Sequence, residues 1–156
     1  MPPTDDSACV IVALGRFITP TDTDILIRAL ASLFDLNWSL RIVADADWHA
    51  DQSRATAEVL GVEARVTFGS MPEWNDADLF ACAVEPPDLD AAAAEAFRHG
   101  LPVIASALTA GAYITPENGV VCPPGDVEQL SKAVRRLIFD DTLRESFASA
   151  VRATSL

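Results

Sequence analysis

The stretch Asp78–Ser106, DLFACAVEPPDLDAAAAEAFRHGLPVIAS, limits the possible folds of this chain more than any other. A short apolar run, Leu79 to Val84, leads into a loop of prolines and carboxylates at Glu85-Pro86-Pro87-Asp88. An alanine-rich segment, Ala91 to His99, has helical character and is stopped by Gly100, and Val103 to Ala105 form a second apolar run. Short apolar runs bounded by turn residues suit strands buried on both faces. Strand, helix and strand within about thirty residues make a right-handed βαβ unit with parallel pairing. Ligands of such sheets bind beyond the carboxyl ends of the strands, near helix N-termini. The loop from Glu85 to Asp90 is therefore the first place to look for function.

The rest of the chain repeats the alternation. Cys9 to Gly15, Trp38 to Ala44, Arg65 to Phe68 and Val120 to Cys122 read as further strands. Apolar positions 25, 26, 29, 30, 33 and 34 mark a helix that Asp22 or Thr23 can cap, and Asp47 to Leu60 a second, stopped by Gly61. Asp126 caps a helix with Val127, Leu130, Val134, Leu137 and Ile138 on one face, and Asp140-Asp141-Thr142 opens the last. The expected class is α/β, a doubly wound, Rossmann-like and mainly parallel sheet with helices on both faces. At 156 residues it forms one domain, 1–156, in which 1–7 read as a flexible N-terminus.

Charge excludes some functions. With a net charge of −12, the chain lacks the basic surface that nucleic acid requires. Its one lysine, Lys132, lies in a helical run, so any phosphate must be held by arginine or backbone N–H groups. No apolar run reaches the length of a membrane span, and the first residues lack signal-peptide character. A cytoplasmic location is expected. Cys9, Cys82 and Cys122 lie in or beside strands without metal-ligand spacing, and read as buried thiols.

Three constellations stand out, each with two readings. Arg16, just past the first strand, offers a forked cation to a diphosphate or pairs with a neighbouring acid. Glu95 accepts two hydroxyls if it faces a cleft, and is otherwise an exposed helix-face glutamate. Asp88 and Asp90 read as helix N-caps that would repel a phosphate; with Glu85 they also form a set of acids for proton transfer. His49 and His99 have no partner by spacing, and His99 suits the negative end of its helix. A phosphoryl-acceptor domain is excluded, because Arg16 stands where it needs an acid.

The order of the motifs resembles a known family. Val12 to Phe17, Leu40 to Asp45, Arg65 to Gly69, Asp76 to Phe80, Glu95 to Ser106, Asn118 to Val121, Pro123 to Asp126 and Leu143-Arg144 are together similar to the C-terminal, nucleotide-sugar-binding domain of GT-B glycosyltransferases, retaining family 4, group 1. The resemblance covers nearly the whole chain. It implies that Arg16 contacts the donor diphosphate and that backbone N–H groups of Leu89, Asp90 and Ala91 face the phosphates. Glu95 would hold the nucleotide ribose, with neither metal nor other cofactor. The pattern departs at Thr21, where a basic residue is usual, at Pro87, where the first of two paired glutamates belongs, and at Asp90, a glycine in the family. Each departure that adds or uncovers negative charge would cost donor binding about 1–3 kcal/mol. The expected function is donor binding for retaining glycosyl transfer, needing an N-terminal acceptor half. The alternative is an inactive, degenerate domain that binds another protein. Apolar surface left by a missing half would also favour homo-oligomers.

Overall fold

The computed structural model describes residues 8–14, 20–43, 50–69, 74–84 and 88–154. Arg16, His49, Glu85 and Pro87, singled out above, lie outside them.

Six strands, β1 (Cys9–Leu14), β2 (Trp38–Val43), β3 (Val66–Gly69), β4 (Leu79–Cys82), β5 (Val103–Ser106) and β6 (Gly119–Cys122), form one sheet in the order β3-β2-β1-β4-β5-β6. Every pairing is parallel. Among the described residues the α-helices are α1 (Pro20–Ala31), α2 (Ala50–Val59), α3 (Asp88–Arg98), α4 (Val127–Phe139) and α5 (Asp141–Ala153). Register assigns the faces. Ile11 and Ala13 of β1, Leu40 and Ile42 of β2, and Ala81 and Ile104 of β4 and β5 join Leu26, Ile27 and Leu30 of α1 and Leu130, Val134 and Leu137 of α4 in one core. On the opposite face Val12, Phe80 and Val103 pack with Leu89, Ala92, Ala93 and Phe97 of α3. The expected doubly wound sheet with helices on both faces is present.

Several boundaries differ from the sequence reading. Helix α1 begins at Pro20, so Thr23 is a fully buried helical residue rather than a cap. Proline suits a first helical turn because it lacks only an N–H that would be unpaired there. α1 stops at Ala31, so Phe34 falls in the following turn and is 72% exposed instead of extending the buried face. α3 begins at Asp88, which makes Asp90 a first-turn residue instead of an N-cap. At the other end of the chain the caps are as expected. Asp126 accepts from the Gln129 N–H at 2.9 Å and Asp140 from the Leu143 N–H at 2.9 Å.

Two family-like motifs serve the scaffold. Asn118 is buried, accepts from the Thr115 N–H at 2.8 Å and donates to the Tyr113 carbonyl at 3.0 Å, fixing the turn into β6. Beside it, a Cβ on Gly119 would stand 2.6 Å from the Val103 carbonyl oxygen, so only glycine fits without movement. Arg144 donates to the Leu137 and Ile138 carbonyls at 2.7 and 3.1 Å and to Asp141 at 2.6 Å, pinning the end of α4 to the start of α5.

Candidate functional site

In the sheet order the direction of winding reverses between β1 and β4. α1 follows β1 onto one face and α3 follows β4 onto the other. The carboxyl ends of these two strands thus open a crevice between two helix N-termini, where doubly wound sheets bind ligands. Among the described residues a void of about 10 Å³, the size of one water, lies beneath α1 and α4, among Leu26, Ala81, Cys82, Ala83, Ile104, Ser106 and Leu130. Larger clefts of about 330 Å³ and 540 Å³ lie elsewhere, between α1 and α2 and beside the edge strand β6.

Among the described residues the rim is acidic: the first turns of α1 and α3 contribute Asp24, Asp88 and Asp90. Asp24 is engaged by the Gln52 amide at 2.8 Å and the Ser53 hydroxyl at 3.1 Å. Asp90 reaches across to the β5–β6 connection and accepts the Ala112 N–H at 2.7 Å. The first-turn N–H groups of a helix lack partners within it, so Leu89, Asp90 and Ala91 present donors beside these carboxylates. Leu89 is fully buried, and Ala91 is exposed. Thr21 lies in the first turn of α1.

Glu95 stands further along α3. One carboxylate oxygen holds Arg98 Nη1 at 2.9 Å and the other lies 3.6 Å from His99 Nε2. His99 in turn stacks on Trp74, with ring centroids 4.2 Å apart and planes within 7°. Glu95 and Asp90 therefore do not converge in this structure; Glu95 is turned toward the C-terminal end of the helix. The sequence reading placed His99 against the helix dipole without a partner, and missed both Glu95 one turn before it and Trp74. A lone aromatic in a proline-containing loop gave no signal of what it would stack on.

The thiols are not reactive groups. Burial pushes Cys82 up to about 12, and burial first, with Asp78 and Asp141 adding and Arg144 opposing, pushes Cys9 up to about 12. Cys122 is raised by burial and by Asp126. All three are free and buried, as expected from their place in the strands. Among the described residues no group of three or more His, Cys, Asp or Glu could hold a metal ion, and no helix is long and apolar enough to cross a membrane.

Comparison with known proteins fits this architecture. The family described as glycosyl transferases group 1 matches residues 8–140. The chain is 26% identical over 155 residues to the lipopolysaccharide core biosynthesis glycosyltransferase LpsE of Rhizobium meliloti, covering 93% of this chain and 44% of that protein. The structure of Anabaena HepE in complex with UDP and glucose matches 94% of this chain and 43% of its own, with a TM-score of 0.76 and 26% identity. The C-terminal domain of the group 1 protein LpcC from Francisella tularensis matches with a TM-score of 0.72 and 20% identity, over 94% of this chain and 83% of that domain. The chain thus spans less than half the length of LpsE and HepE and most of an isolated C-terminal domain.

Proposed function

Since the chain belongs to the group 1 glycosyl transferases, we propose that it is the donor-binding half of such an enzyme. It would hold a nucleoside diphosphate sugar for transfer, with retention, to an acceptor bound by an N-terminal half. The observation that carries this reading is the crevice between α1 and α3, in a fold whose relative HepE holds UDP and glucose. In this reading the leaving diphosphate is stabilised by fixed donors and charge rather than by a metal. Arg16 supplies the cation and the first-turn N–H groups of Leu89, Asp90 and Ala91 the remaining donors. Glu95 takes the ribose hydroxyls once it lets go of Arg98 and His99. Because both of those contacts are partly exposed, breaking them costs about 1 kcal/mol or less.

One set of observations favours a second reading, a degenerate domain that acts by binding another protein. The acidic rim and the Asp90–Ala112 contact oppose a bound diphosphate, and the pairing of Glu95 with Arg98 opposes a ribose. A single experiment separates the two. Calorimetric titration of the chain with UDP, GDP and ADP, repeated with Glu95→Ala, gives micromolar binding of one nucleotide, abolished by the substitution, if the donor site works. Absence of heat at millimolar nucleotide overturns the donor reading and leaves the interaction module.

A further inference from the structure

The hydrogen bond between Asp90 and Ala112 joins two segments 22 residues apart in sequence, at the rim of the crevice. One partner is a carboxylate in the first turn of α3, which follows β4. The other is a backbone N–H in the connection that follows β5, just after Gly111, whose φ of 70° turns the chain there. The bond runs from a loop to a helix N-terminus, and at 2.7 Å it has the short length of a charge-assisted contact. It does two things at once. It engages the Ala112 N–H, and it fixes a negative charge in the first turn of α3, the helix end where an incoming anion gains most.

We propose that Asp90 is a built-in competitor for the donor's diphosphate, latching the β5–β6 connection to α3 until the ligand displaces it. The inference rests on the donor-binding reading above and assigns to one residue the control of affinity within it. The carboxylate acts twice against the ligand, through like charge and through occupation of the Ala112 N–H. Removing the charge alone therefore restores part of the affinity, and removing the side chain restores the rest. Neutral parts of the donor are unaffected by either change.

The test is calorimetric titration of the full chain with UDP, pyrophosphate and uridine, for the wild type, Asp90→Asn and Asp90→Ala. Thermal melts run alongside, and Asp90→Asn keeps a hydrogen-bond acceptor in the first turn should Asp90→Ala fold poorly. Asp90→Asn is expected to bind UDP and pyrophosphate roughly tenfold more tightly than the wild type, and Asp90→Ala at least as tightly as Asp90→Asn. Uridine should gain nothing. In the wild type, UDP should shift the Ala112 amide resonance, the direct signature of a released latch. Equal UDP affinity in all three proteins, or weaker binding by the variants, overturns the competitor role and leaves the donor reading standing. A gain that extends equally to uridine also overturns it, since the effect would not lie at the diphosphate. If none of the three binds UDP or pyrophosphate, the donor reading fails and this inference falls with it.

Discussion

The two halves of the sheet are built differently on the α3 side. β4 and β5, LFAC and VIAS, are apolar up to Ser106 and almost wholly buried, because α3 packs on one face and α1 and α4 on the other. β2, WSLRIV, alternates: Trp38, Leu40 and Ile42 are buried, whereas Ser39 and Arg41 are half-exposed. Arg41 aligns with Thr67 of β3, which is exposed, and donates to the Asn75 carbonyl at 2.7 Å. Trp74, at the edge of this wing, spends its ring on His99 and lies 6.0 Å from Phe80. The contrast teaches that parallel pairing alone does not demand an apolar run. Hydrophobic residues concentrate on the faces that a helix covers, and Val43 at the end of β2 joins the core on the α3 side.

Substitutions can break this contrast, and the largest effect belongs to the covered half. Phe80→Ala removes a fully buried ring from beneath α3 and should destabilise the chain by about 3–5 kcal/mol, measured by urea unfolding. Gly119→Ala, where β6 meets β5, forces a Cβ against the Val103 carbonyl and Ile114 and should cost about 2 kcal/mol by the same assay. Titration comes next. Cys82 titrates near its ordinary value of 9.0 when unfolded and at about 12 when folded. Its contribution is complete below pH 9 and is lost as the pH rises toward 12, by about 1.4 kcal/mol per pH unit. Cys82→Ala should flatten that alkaline slope, whatever it does to stability at neutral pH. The smallest effect is expected on the open wing. Thr67→Ala should change stability by about 0.5 kcal/mol or less, and a larger loss would mean that the β2–β3 face is covered after all.

Much of the fold could be read from such patterns. β1, β4 and β5 are continuous apolar runs, and α4 announces both its cap and its buried stripe, so each appears close to where it was expected. Errors fell at helix ends: α1 stops before Phe34, and at helix starts proline or aspartate can stand either outside the first turn or within it. At Asp88 the chain chose the latter, because Leu89 had to reach the core over Phe80. The candidate site was legible only as a region. Composition gave an acidic loop at a strand end, and motif order gave Glu95 and Asp90 a place, but neither could say what their carboxylates touch. Glu95 finds Arg98 and His99 on its own helix, a pairing that its i, i+3 and i, i+4 spacing contains, although nothing in the sequence ranked it above a ligand.

By itself the sequence determined the alternation of strands and helices, the parallel class, the family and the acidity of the rim, because hydrophobic period, turn residues and charge are local quantities. The tertiary structure alone decided the partner of Asp90, the stacking of Trp74 on His99 and the partial exposure of Ser39, Arg41 and Thr67 on β2 and β3. These depend on which segments distant in the chain arrive at the same point. Only the packing of helices across a twisted sheet fixes such meetings, and no window of neighbouring residues contains them.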